Sequence, residues 1–158
     1  MIPKFRAWDI LRKEMNYKIM VGNCDTDDEN WTCPIIWIEK RKEWLHFDDY
    51  ECIMQSTGLV DKNGKEIFEG DILKFNDEWV EYCHEGYVDG SVEGINFVEV
   101  VRGEACFEFG KTRYPESSLF IRMEDEHLAL AELIKSRDFE FKIIGNVYEN
   151  PELLEDLT

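Results

Sequence analysis

The chain has 158 residues, 44% hydrophobic and 13% aromatic, so it carries enough apolar material for a core and is not expected to be disordered. Its 18 basic and 35 acidic residues leave a formal net charge of −17, which repels phosphate backbones and anionic lipid and lowers the expectation of nucleic-acid binding. The sequence contains no run of about 18 apolar residues, and charges interrupt the amino terminus throughout, so neither a membrane span nor a signal peptide is expected.

In chain order, Lys4-Phe5-Arg6-Ala7-Trp8-Asp9 suits a short strand, and a turn over Leu11-Arg12-Lys13-Glu14 returns the chain through Met15 to Val21. Tyr17, Ile19 and Val21 alternate onto one face there. Residues 24–30 form a polar loop by composition. Ile35-Ile36-Trp37-Ile38 and Trp44-Leu45-His46-Phe47, separated by five charged residues, predict a second hairpin.

The clearest local signal is Asn63-Gly64 between short apolar segments. Both residues tolerate positive φ, so a two-residue type I′ turn is predicted. Gly70 between Glu69 and Asp71 predicts a tight turn into the strand beginning at Ile72. From Trp79 to Phe109, apolar clusters alternate with Gly86, Gly90, Gly94 and Gly103, predicting several short antiparallel strands. One helix is predicted at about 124–137. Leu130, Leu133, Ile134 and Arg137 share a face, with Glu124-Asp125-Glu126 at its start and basic residues at its end. A strand over Phe139–Tyr148 follows. Asn150-Pro151 then reads as N-cap and first residue of a short last helix, 151–157.

Three blocks of this sequence resemble the YopX family of phage and prophage proteins. They are Lys4–Asp9 followed by Met15, Met54–Ile72, and Ile144–Leu154. Ser56 and Val60 depart from the family's more usual aromatic and lysine at those places. The resemblance implies a gene carried by bacterial phages or prophages and a carboxy-terminal region similar to an SH3-type barrel. It implies no activity and carries over no catalytic residue.

The fold expected is mainly β with one or two helices (α+β). Residues 1–53 would form an amino-terminal β-ribbon region, and residues 54–158 an SH3-type small barrel with its helices. The charge divides unevenly: residues 1–74 hold 11 basic and 15 acidic residues, a balance of −4, while residues 75–158 hold 7 and 20, a balance of −13.

Cys24, Cys33, Cys52, Cys83 and Cys106 are widely spaced, contain no C-x-x-C pair and read as reduced thiols, so no zinc site and no other metal site is expected. Asp25-Thr26-Asp27 begins like a calcium loop, but Asn30 and Ile36 stand where the turn glycine and the bidentate Glu belong. No phosphate-binding glycine loop, nucleophile elbow or dinucleotide fingerprint occurs, so no cofactor is expected. Glu69 and Asp71 are better explained by their turn than as an acid/base pair. No catalytic residue is named.

Trp31, Trp37 and Trp44, with Lys40-Arg41-Lys42 between two of them, are the candidate partner-binding residues. Packing of these tryptophans onto the barrel is the preferred reading, and an exposed binding surface the alternative. The expectation is therefore a non-enzymatic, cytoplasmic accessory protein of a bacterial host. It would bind a host or phage protein, or a second copy of itself. Nucleic-acid binding through residues 31–44 and Arg6 ranks second, and an undescribed hydrolase third.

Overall fold

The computed structural model describes residues 4–24, 33–46, 52–82, 88–136 and 138–155. It is mainly β, with 11 strands and two α-helices among the described residues, and divides into two compact units, Met1–Ser56 and Thr57–Thr158.

In the first unit, β1 (Phe5–Asp9) and β2 (Glu14–Asn16) form the predicted amino-terminal hairpin, registered by Trp8 opposite Met15. The return strand is shorter than expected, because Tyr17 and Lys18 separate β2 from β3 (Ile19–Cys24). β3 pairs instead with β4 (Cys33–Ile38), which pairs with β5 (Glu43–His46), making a three-stranded antiparallel sheet. Directly opposed residues point to one face of such a sheet. One face carries Ile36 and Ile38, which form the core with Ala7, flanked by Ile19 and Ile53. The other face carries Met20, Trp37 and Trp44.

β6 (Cys52–Val60) spans the boundary between the units: residues 52–55 pair with β1, and β7 (Glu66–Phe68) is its other neighbour. The second unit is built on a curled, half-barrel sheet of order β10-β9-β8-β11. Its strands are β8 (Asp71–Tyr82), β9 (Val88–Arg102), β10 (Phe107–Thr112) and β11 (Lys142–Asn146). In place of several short strands, β8 and β9 pair almost continuously from Ile72–Glu99 to Tyr82–Val88. Gly90 and Gly94 lie inside β9, so these glycines do not break the chain as their spacing predicted; Gly86 lies outside the described residues. A long antiparallel ladder adds about one backbone hydrogen bond per residue pair it covers, and that outweighs the weak strand preference of two glycines.

The predicted helix at 124–137 is two helices, α1 (Ser118–Glu126) and α2 (Leu130–Lys135). His127 takes a left-handed conformation (φ 54°) and its N–H caps Met123 O, ending α1. The acidic run Glu124–Glu126 thus occupies the last turn of α1, where the dipole disfavours it, and an ion pair from Arg122 to Glu126 (3.0 Å) offsets part of that cost. The N-terminal signal was Ser117, whose hydroxyl accepts from Leu119 N at 3.1 Å.

Leu119, Leu130 and Leu133 pack into a core built around four phenylalanines. Phe141 stacks on Phe109 with centroids 5.2 Å apart, and Phe75 meets Phe139 edge-on at 5.9 Å. The strand expected over 139–148 is confined to β11, because Asn146 ends it by accepting from Tyr148 N and Glu149 N. A 3₁₀ turn, Pro151–Leu154, stands where the last helix was expected. Asn150 precedes it without capping it, since its side chain turns back to accept from Asn146 N.

Candidate functional site

Trp37 and Trp44 are cross-strand partners, with ring centroids 5.1 Å apart and planes tilted by 54°. Met20 stands opposite Trp37 on the other side, so the three side chains form a row across three strands. Met20 is 58% exposed and Trp44 55% exposed. Trp44 is therefore not part of the aliphatic core of this unit. Trp31 lies outside the described residues.

Each residue of the basic triplet beside the row has a carboxylate partner. Lys40 pairs with Glu14 (2.9 Å), and Arg41 pairs with both Asp9 (3.0 Å) and Glu43 (3.0 Å). Lys42 pairs with Glu39, whose other oxygen accepts from the Trp37 indole N–H at 2.8 Å. These two contacts, with Lys42 the larger, hold the Glu39 carboxyl below the ordinary carboxylate value. Asp9 is the anchor of this end of the unit. It is 5% exposed and also accepts from the backbone N–H of Leu11 and Arg12, each at 3.0 Å. Arg6, 2% exposed, lies over the Tyr17 ring and donates to Met54 Sδ at 3.4 Å, so it is not a surface cation. The sequence showed the three cations but not the carboxylates that fold against them, because Asp9 and Glu14 are about thirty residues away in the chain.

In the second unit the polar clusters hold the fold. Asp61, 6% exposed, accepts from Asn63 N, Lys65 N and Ile143 N, each at 2.9 Å. Those bonds convert the expected type I′ turn. Gly64 N donates to Asp61 O at 3.0 Å, and of the Asn-Gly pair only Gly64 takes positive φ (81°). The result is a type I turn followed by a left-handed glycine, the three-residue hairpin form. Asp71, 2% exposed, accepts from Phe68 N at 2.8 Å, while Glu69 pairs with Arg102 at 2.9 Å. Both acidic residues are thus used by the turn and its neighbour strand.

A second network joins Asp77 to α1. One oxygen accepts from the Ser118 hydroxyl (2.7 Å) and the other from fully buried Asn96 (2.8 Å). It caps the helix and positions no reactive group. No cluster of three metal-ligating side chains occurs among the described residues, and no described helix is long and apolar enough to cross a membrane.

A family profile described as YopX protein matches residues 4–155, nearly the whole chain. The chain belongs to the YopX family. A solved relative is the crystal structure of protein EF1440 from Enterococcus faecalis, 28% identical, with a TM-score of 0.53, covering 98% of this chain and 99% of that one. No curated protein matches the chain significantly. Within this YopX chain, Asp61, Gly64, Gly70 and Asp71 of the Met54–Ile72 block all serve turn geometry. The row of Met20, Trp37 and Trp44, exposed at Met20 and Trp44 and half-buried at Trp37, lies outside the three resembling blocks.

Proposed function

We propose that this YopX protein is a phage- or prophage-encoded accessory protein that acts by binding another protein in the bacterial cytoplasm and not by catalysis. The carboxy-terminal unit is read with it as an SH3-type scaffold. The observation that supports the reading is the Met20–Trp37–Trp44 row, an apolar strip on the face of the sheet opposite its core, exposed at Met20 and Trp44. Exposed tryptophans contribute large contact area at small entropic cost, which is why they anchor interfaces. Direct nucleic-acid binding ranks second, because a net charge of −17 opposes phosphate and Lys40, Arg41 and Lys42 each have a carboxylate beside them.

The test compares wild type with Trp44→Glu and Met20→Glu in quantitative affinity capture from host and phage-infected lysates. Because both side chains are more than half exposed, the variants keep the fold. A partner retained by wild type at moderate salt and lost with both variants is the expected result; self-association is scored in parallel by sedimentation. Identical captures from all three proteins would remove the row from the function.

A further inference from the structure

Helix α1 has two unlike faces. Leu119 is buried, and with half-buried Met123 it packs into the core of the second unit. Phe120, Ile121, Glu124 and Asp125 stay exposed, with Phe120 at 38% and Ile121 at 55%. Residues three and four apart on a helix are neighbours, so Glu124 lies beside both Phe120 and Ile121, and Asp125 beside Ile121. The outward face of α1 is thus two large apolar side chains followed by two carboxylates.

The fold itself uses neither half of that face. The apolar pair adds no core. The carboxylates stand in the last turn of the helix, where the partial negative charge of its C-terminus repels them, and that turn holds no basic residue. No described residue forms an ion pair or side-chain hydrogen bond with Glu124 or Asp125. Arg122, the one cation of α1, is engaged elsewhere: it pairs with Glu126 at 3.0 Å and Asp138 at 2.6 Å, and lies over the Phe139 ring at 5.4 Å. Conflicts between local preference and fold that no contact compensates concentrate at functional surfaces.

The charge on this face selects its occupant. Glu124, Asp125, Glu126 and Asp138 against Arg122 leave a local balance of −3, on a unit that holds 10 basic and 24 acidic residues. Such a field repels nucleic acid and anionic lipid, and a second copy of the chain would bring the same negative face to it. A cationic protein segment is attracted, and its charge would relieve the repulsion at the helix terminus.

We propose that the outward face of α1 docks a basic segment of a protein partner. An apolar side chain of that segment lies on Phe120 and Ile121, and its lysine or arginine side chains meet Glu124 and Asp125. The surface belongs to the second unit and uses none of the tryptophan observations, so it stands or falls separately from the strip in the first unit.

The test uses the full chain and three rhodamine-labelled peptides. The first has a Leu-Phe centre flanked by lysines, the second has aspartates in place of the lysines, and the third keeps the lysines around a Ser-Ser centre. Anisotropy titration is expected to show saturable binding of the first, at least about tenfold tighter than of either other peptide. The double variant Glu124→Lys, Asp125→Lys is expected to weaken the first peptide at least about tenfold, and Ile121→Ser at least about threefold. Glu104→Lys with Glu108→Lys makes the same charge change on β10 and the turn before it, and is expected to stay within about twofold of wild type. All five positions are exposed, so the variants keep the fold. Thermal unfolding gives a readout that a structural role would not: the α1 double variant should melt higher than wild type, because it removes the repulsion at the helix terminus. The proposal is overturned if the first peptide does not saturate at millimolar concentration, or if the Ser-Ser peptide binds as well. Equal weakening by the two charge-reversal variants overturns it by assigning the attraction to the overall charge. A lower melting temperature for the α1 variant overturns it by making the carboxylates part of the fold. A wild-type dimer that Ile121→Ser dissociates, scored by sedimentation, would give the face to a second copy and overturns it equally.

Discussion

The two units use their aromatic residues in opposite ways. Residues 1–56 hold four of the five tryptophans and two of the ten phenylalanines, while residues 57–158 hold one tryptophan and eight phenylalanines. In the second unit the ring clusters are phenylalanines buried among themselves, and Phe75 and Phe141 are 1% and 2% exposed. In the first, Trp44 stands half in water while the small core is aliphatic, built on Ala7, Ile36 and Ile38. A buried phenylalanine has no polar atom to satisfy, whereas the indole N–H keeps one edge of tryptophan content in water or bonded, as Trp37 is to Glu39. The difference separates a unit whose aromatics stabilise from one whose aromatics are presented.

The largest effects should therefore come from the second unit. Phe141→Ala removes a ring that touches Phe75, Phe109 and Phe139, and should cost about 3–5 kcal/mol by chemical denaturation. A loss under about 1 kcal/mol would mean that the cluster is not a core. Next comes Asp61→Ala, which leaves three buried or half-buried N–H groups without their acceptor and should cost about 2–4 kcal/mol. Hydrogen exchange should accelerate at Ile143, 82 residues from Asp61 along the chain and so beyond any local effect of the turn. Smaller again is Gly64→Ala, at about 1–2 kcal/mol, from the left-handed conformation alone, since no atom lies where the added Cβ would go. Against these, Trp44→Ala should change stability by about 0.5–1 kcal/mol, the worth of a cross-strand aromatic pair. If it costs as much as Phe141→Ala, the division between the units fails.

What was legible in the sequence follows the range of the interactions involved. The hairpin around residues 39–42 and the turns at Gly64 and Gly70 rest on neighbours within a few positions, and their places could be read directly. The turn type at Asn63-Gly64 could not, because it is decided by the Asp61 carboxylate, which also serves Ile143 in another strand. The helix break at His127 was hidden for a related reason. Leu130, Leu133 and Ile134 do repeat at helical spacing, but the acidic residues taken for their start belong to the end of a preceding helix capped at Ser117. The tryptophans were visible as residues, whereas their exposure depends on which sheet face the core takes. Likewise the three cations of the turn looked available until Asp9 and Glu14 were brought to them by the fold.

The smallest expected effect tests that last point most directly. Glu39 is exposed, so its ion pair adds little to global stability, but it reports whether the turn beside the tryptophan row is ordered in solution. Its carboxyl is held below the ordinary value of 4.5, first by Lys42 and then by the Trp37 indole. A depressed value means that the contact is complete above pH 4.5 and is lost as the pH falls through the lower, folded-state value. The Trp37 indole N–H resonance should therefore move as the pH falls, with a midpoint below 4.5. Lys42→Ala should bring the midpoint back up toward 4.5, because it removes the larger of the two contacts. A wild-type midpoint already at 4.5 would mean that Glu39 does not hold the indole. The tryptophan row would then be a mobile pair of side chains and not the preorganised strip on which binding through the first unit depends.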